Sequence, residues 1–170
     1  MASQLPAFPR IVFTIIEPIS LISGALGPFI DADWFIKSQA SASISTSSPN
    51  QAYDINARVV AQQLGNIYFL LCLLGVAVLW TTSELRVVRN YLLAAWVADI
   101  SHVWLTCRAL GWAHTVDVVA WNAMTWGNVG FTTFLFLTRT AWFLGLFGPD
   151  HPAVAAKVKS EVAETKRRRE

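Results

Sequence analysis

Long apolar runs separated by short polar segments dominate this chain. Four of them reach or approach the roughly 20 residues that a helix needs to cross a bilayer. They cover residues 11–30, 64–82, 88–110 and 124–147. The pattern predicts an all-α fold: an integral membrane four-helix bundle over residues 1–149, followed by a basic tail over residues 150–170.

The composition supports a membrane protein. Hydrophobic residues make up 54% of the chain and charged residues only 14%, which is too apolar for an ordinary soluble domain. The net charge of +2 comes with no nucleic-acid-binding motif, so we expect no nucleic-acid partner. Glu17 and Pro18 interrupt the first run, which favours a retained helix over a cleaved signal peptide.

Basic residues between and after the runs set the expected orientation, because Lys and Arg concentrate on the cytosolic side. Arg86 and Arg89 lie between the second and third runs. The tail carries six more, namely Lys157, Lys159, Lys166, Arg167, Arg168 and Arg169. With four spans both termini are then cytosolic, and the expected location is a multi-pass protein of the endoplasmic reticulum. The same tail is expected to contact anionic membrane lipids.

The third run carries Asp99 and His102 in a stretch otherwise suited to lipid. Ionisable residues at that depth are unfavourable by several kcal/mol unless they face a partner or a water pocket, so they indicate a functional site. Trp96, Asp99, His102 and Thr106 share one stripe of a helix. Lipid offers Asp99 no hydrogen bond, and we therefore expect this stripe to face the bundle interior.

Each of the other predicted helices contributes polar residues. These are Glu17 on the first helix, Asn66 on the second, and Asn128, Thr132 and Arg139 on the fourth. At about 1.5 Å of rise per residue, Glu17 lies roughly 9 Å and Arg139 roughly 12 Å from the cytosolic ends, so an ion pair between them is expected. Asp99 and His102 fall at about 17 to 21 Å, level with the two asparagines.

Two interpretations fit these polar layers. Hydrogen bonds between membrane helices contribute about 0.6 to 2 kcal/mol and stabilise packing, which suits the Glu17–Arg139 pair. Asp99 and His102 have no evident cationic partner, which favours acid/base chemistry. Asp99 would protonate an epoxide, carbonyl or alkene while His102 orients it or activates water, or in the reverse order. Glu17 would be a second acid or base. The expected substrate-binding residues are Trp96, Asn66, Asn128, Thr132 and Arg139.

Several other chemistries lack support. The chain has no nucleophile elbow, Walker loop, His-Glu-x-x-His motif or dinucleotide glycine fingerprint. His102, His114 and His151 are too far apart to form a metal site, and Cys72 and Cys107 are expected to be apolar fillers. We therefore expect no metal and no cofactor, and a cofactor-free reaction on a lipophilic small molecule.

The N-terminal pattern resembles a group of small fungal integral membrane proteins found beside polyketide and terpenoid biosynthetic genes. The motifs are Phe8-Pro9-Arg10, then Ile16-Glu17-Pro18, then Gly24-Ala25. In size and in its buried carboxylates the chain is more weakly similar to membrane-bound terpenoid cyclases and sterol isomerases, which usually have more spans.

The resemblance implies a tailoring step on a fungal natural product. That step would be epoxide opening, by hydrolysis or cyclisation, or the cyclisation or isomerisation of a polyketide or terpenoid. Glu17, and then Asp99 and His102, would carry it, beside possible biosynthetic partner enzymes. Two alternatives remain open, a non-catalytic lipid or sterol binder and a scaffold for partner enzymes.

Overall fold

The computed structural model describes residues 4–40, 54–148, 150, 165 and 167–168. All regular structure within these ranges is helical, which confirms the all-α prediction. Most of the predicted basic tail lies outside the described residues, as does the segment 41–53 before the second predicted helix.

The helical elements follow one another closely along the chain. They are α1 (Ala7–Ile11), the π-helical segment π1 (Val12–Ile16), α2 (Glu17–Ile30), α3 (Ala32–Ser38), α4 (Ile55–Thr81), α5 (Leu85–Leu110), α6 (Trp112–Val116), a 3₁₀ turn (Val118–Ala120), α7 (Ala123–Thr125), the π-helical segment π2 (Trp126–Phe131) and α8 (Thr132–Phe143). Four long helical stretches result, formed by α1–π1–α2, α4, α5 and α7–π2–α8.

Two of these stretches, within the described part of the chain, are long and apolar enough to cross a membrane. They are Ala7–Ile30 and Ile55–Thr81. The first begins four residues before the predicted start at residue 11. Pro9 falls in its first turn, where a backbone N–H has no partner within the helix, and a proline there is therefore tolerated.

The second stretch begins nine residues before the predicted start at residue 64. Its first turns are polar, and Arg58 anchors them through a two-pronged ion pair with Asp33 on α3. The pair joins α3 to α4 and holds the short helix against the end of the longer one. The length of an apolar run therefore underestimates the length of a helix whose end is polar.

Pro18 breaks the regular hydrogen bonding of the first stretch. A proline has no N–H, so the Thr14 carbonyl lacks its usual partner four residues later. Trp80 on α4 supplies one, because its Nε1 donates to the Thr14 oxygen over 3.1 Å. The π1 segment ends two residues before Pro18, as expected where the regular ladder is disturbed.

The long stretches pack as two pairs. The α2 helix contacts α4 along its length and α5 contacts α8, whereas direct packing between the two pairs is sparse. A close apolar core lies where α1, the end of α4, the start of α5 and the end of α8 meet. Its buried members are Leu5, Val12, Phe13, Leu79, Val88, Leu92, Leu135 and Trp142. Polar contacts also join the two pairs.

Candidate functional site

A buried arginine joins three helices at the centre of the structure. Arg139 on α8 is 0% exposed. Its Nη2 donates to Glu17 Oε1 at the start of α2, and its Nη1 donates to Asp99 Oδ2 on α5, each over 2.5 Å. Both carboxylates are themselves buried. We call Glu17, Asp99 and Arg139 the buried triad.

The triad confirms one expectation and corrects another. The ion pair between Glu17 and Arg139 that residue depth predicts is present. The expectation that Asp99 lacks a cationic partner is wrong, because Arg139 binds it with its second terminal nitrogen. A guanidinium presents several N–H groups in fixed directions, and one arginine can therefore bind two carboxylates.

Two polar atoms of the triad have no hydrogen-bond partner among the described residues. They are Glu17 Oε2 and Arg139 Nε, and both are buried. A buried polar atom without a partner is unfavourable by roughly 1 to 3 kcal/mol. These atoms are therefore suited to bind a water molecule or a polar group of a guest.

Two aromatic side chains, Phe13 and Tyr91, lie near the triad. The Arg139 guanidinium lies over the Phe13 ring, 5.0 Å from its centroid, which contributes a favourable cation–π contact. The Tyr91 hydroxyl interacts electrostatically with all three triad residues. Sequence reasoning missed Tyr91, although it lies eight residues before Asp99 on the same broad face of α5.

His102 belongs to a second polar cluster, one helical turn further along α5. Its side chain lies beside Asn128 in π2. The Asn128 Nδ2 group also donates to Gln39 Oε1 over 3.0 Å, directly after α3. The structure thus brings His102 together with Asn128, as the shared depth suggested, and places Asp99 with Arg139 instead.

The remaining predicted binding residues lie at varied positions. Trp96 lies between α5 and α8, where its Nε1 donates to Thr140 Oγ1 over 2.8 Å and its ring stacks on Phe136 at 5.5 Å. Thr132 donates to the Gly127 carbonyl within its own stretch. Asn66 is exposed on α4. Trp96 is therefore the member of this set that packs between α5 and α8, the helices that carry Asp99 and Arg139.

Both polar clusters adjoin a π-helical segment. Glu17 directly follows π1 and Asn128 lies inside π2. A π-helical turn is rare and inserts an extra residue, which changes the direction of the side chains around it and frequently marks a functional site. The sequence hints were Pro18 after π1 and the two glycines, Gly127 and Gly130, inside π2.

A family model for a domain of unknown function, DUF7704, matches residues 2–149. The chain belongs to the DUF7704 family. The match to DUF7704 includes the four long stretches, the buried triad and the cluster around His102, and it ends before the basic tail. Neither a curated protein nor a solved structure matches this DUF7704 chain.

Proposed function

We propose that the chain crosses the membrane four times, with both termini on the cytosolic side. Two stretches are long and apolar enough to span, and α5 and α7–π2–α8 run beside them at comparable length. Large apolar side chains are exposed on all four stretches, including Ile19, Leu26, Val60, Leu73, Val97 and Leu137. Faces of this kind suit lipid and would be a liability in water.

We further propose that this bundle is a cofactor-free acid/base enzyme for a lipophilic substrate. The observation that carries the proposal is the buried triad, in which two carboxyl groups share one guanidinium. If both were ionised, one negative charge would remain uncompensated in a medium of low dielectric. Binding one proton makes the triad neutral, which gives it a transferable proton away from bulk water.

Glu17 is the first candidate for the acid. Arg139 binds one oxygen of each carboxyl, but the second oxygen of Glu17, Oε2, is buried without a hydrogen-bond partner among the described residues. Glu17 would donate its proton to an epoxide oxygen as the C–O bond breaks and the oxygen becomes a hydroxyl. Asp99 would remain ionised on Arg139 and balance its charge. This reverses the order of the two carboxyls expected from the sequence.

His102 is the candidate base. The electron-deficient carbon left by epoxide opening is captured by water or by a carbon–carbon double bond of the substrate. In either case a proton must leave, from the attacking water or from a carbon beside the final cation. His102 lies one turn from Asp99, beside Asn128, and would accept that proton.

The packing of the helices supports entry of the substrate from the bilayer. The α2–α4 pair and the α5–α8 pair pack sparsely against each other. We call the boundary between the two pairs the seam, and the triad crosses it. A lipophilic molecule entering the seam would meet the triad at one level and the His102 cluster at the next. Trp96 and Phe13 would provide apolar walls for its carbon skeleton.

The substrate class comes from the resemblance to fungal membrane proteins of biosynthetic gene clusters. We propose an epoxidised or unsaturated polyketide or terpenoid, handled at the endoplasmic reticulum beside partner enzymes that make it. An epoxide suits the triad because it exposes one basic oxygen on an otherwise apolar body. The reaction would be hydrolysis, cyclisation or isomerisation.

The test uses the full chain in lipid nanodiscs with a panel of epoxidised terpenoids and polyketides, and product formation is followed by mass spectrometry. Glu17→Gln and Asp99→Asn should each lower turnover at least about a hundredfold, the scale of acid/base catalysis. Glu84→Gln removes an exposed carboxyl before α5 and should leave turnover unchanged. Full turnover in Glu17→Gln would overturn the assignment of the acid.

A lipid or sterol binder is the second candidate, and the unpaired atoms of the triad favour it as well. Glu17 Oε2 and Arg139 Nε would together recognise a hydroxyl group without any reaction. In that case a sterol or terpenoid alcohol would bind, no product would form with any substrate, and Glu17→Gln would change the dissociation constant. Product formation by the unmodified chain would exclude a purely binding role.

A further inference from the structure

A second candidate site lies beside the apolar core, between the start of α5 and the end of α8. A cavity of about 180 Å³ is present there. Its lining residues are Arg89, Trp142, Phe143, Gly145, Gly148 and Asp150. The volume is below the roughly 300 Å³ at which pockets for drug-sized ligands begin, so the cavity suits a small polar group.

Two residues of opposite charge, Arg89 and Asp150, line this cavity. Arg89 and Asp150 form no ion pair with each other in the described part of the chain. The Arg89 guanidinium lies over the Phe143 ring, 5.8 Å from its centroid. Asp150 Oδ1 accepts a hydrogen bond of 2.9 Å from Trp142 Nε1, and its other oxygen has no hydrogen-bond partner among the residues that the structure describes. A group that carries both charges matches this arrangement.

The loop after α8 shapes the cavity. Gly145 and Gly148 have φ angles of +73° and +88°, which side chains other than glycine rarely adopt. These two turns bring Asp150 back beside Trp142. The loop also leaves Leu144 and Leu146 exposed, so apolar surface adjoins a polar cavity at the end of a proposed membrane span.

We propose that this cavity binds the zwitterionic headgroup of a phospholipid, with Arg89 on the phosphate and Asp150 on the ammonium group. Leu144 and Leu146 would contact the first carbons of the acyl chains. The proposal depends on the chain lying in a membrane and is independent of acid/base activity at the triad. A purely anionic headgroup would face the Asp150 carboxylate and should bind less well.

The test measures lipid retention by native mass spectrometry on the full chain in detergent, with short-chain phosphatidylethanolamine, phosphatidylcholine and phosphatidylglycerol. The zwitterionic lipids should bind more tightly than phosphatidylglycerol. Arg89→Gln should weaken their binding about tenfold or more, the scale of losing one hydrogen bond to a charged group. Arg86→Gln, an exposed arginine one turn earlier on α5, is the matched control and should have no effect.

Asp150→Asn gives the sharper outcome. It removes the repulsion of an anionic headgroup and the attraction of an ammonium, so the preference for phosphatidylethanolamine over phosphatidylglycerol should disappear. A separate measurement adds free phosphoethanolamine at millimolar concentration. If it fails to displace the bound lipid, the ligand of the cavity is a membrane lipid and not the free headgroup. Equal binding of all three lipids by the unmodified chain, or equal loss in Arg86→Gln and Arg89→Gln, would overturn the proposal.

Discussion

Arg139 is the residue that organises the interior. It is fully buried, and its terminal nitrogens bind one carboxylate on each of two other helices. A lysine would present a single nitrogen on a flexible stem and would lack the planar face that lies over Phe13. The geometry therefore requires arginine specifically, and not merely a positive charge.

Removing this charge should destabilise the protein strongly. Arg139→Met leaves Glu17 and Asp99 buried without a cation, and breaking a buried pair from one side is unfavourable by about 3 to 5 kcal/mol. Unfolding in detergent, followed by circular dichroism, should shift to clearly lower temperature. Arg108→Gln removes a partly stacked arginine on the exposed side of α5 and should change stability by less than about 1 kcal/mol. Equal stability of the two variants would contradict the role given to Arg139.

A smaller effect is expected at Trp80. Its indole donates to the Thr14 carbonyl that Pro18 leaves without a helical partner. Trp80→Phe keeps the ring and removes this donor, which should lower the free energy of unfolding by about 1 kcal/mol. Trp112→Phe, at a ring that is 81% exposed, is the control and should be nearly neutral in the same unfolding measurement.

At the level of the helices, the apolar pattern predicted that four long stretches exist but not where all of them end. Residue depth also predicted the Glu17–Arg139 pair, because both residues lie at a similar level. The same count separated Asp99 from Arg139 by roughly 5 Å along the bundle. An extended arginine side chain covers that distance, so the levels of α-carbons alone misassigned the partner of Asp99.

The π-helical segments could not be predicted from periodicity. Each changes the phase of its helix by an inserted residue, whereas a 3.6-residue stripe assumes a constant phase. Asn128 lies inside π2 and contacts Gln39 after α3. Gln39 comes from a short helix outside the apolar runs, and no stripe connects it with His102. The contact depends on the path of the chain between helices.

The α2–α4 pair should depend on a close approach of the two backbones. A Cβ atom at Gly65 would lie 2.9 Å from the Ala25 carbonyl oxygen and 3.2 Å from Pro28. Gly65→Ala should therefore separate the helices and lower stability by about 1 to 3 kcal/mol. At Gly127 a Cβ would meet nothing within 4 Å, so Gly127→Ala should be tolerated. A Gly65→Ala variant that unfolds at the unmodified temperature would contradict this packing.

The molecule as a whole consists of two helix pairs joined by an apolar core at one end and by polar clusters further along. The buried triad connects α2 with both helices of the other pair, and Gln39 connects the end of α3 with π2. Because direct packing between the pairs is sparse beyond the apolar core, the polar contacts contribute to holding them together there. The triad is therefore a structural joint between the two pairs, and under the proposed function it also lies where a substrate would enter.

The proposed topology gives the last prediction. In a background of Cys72→Ala and Cys107→Ala, single cysteines are placed at three exposed positions: Ile55, the first residue of α4, and Ser83 and Val119, which lie between long stretches. In sealed microsomes a membrane-impermeant maleimide should label Ser83→Cys, because the proposed topology, based on Arg86 and Arg89, puts its turn on the cytosolic side. Ile55→Cys and Val119→Cys should react only after the membrane is permeabilised. The reversed pattern would overturn the orientation, and equal labelling of all three would show that α4 and α5 do not cross the bilayer.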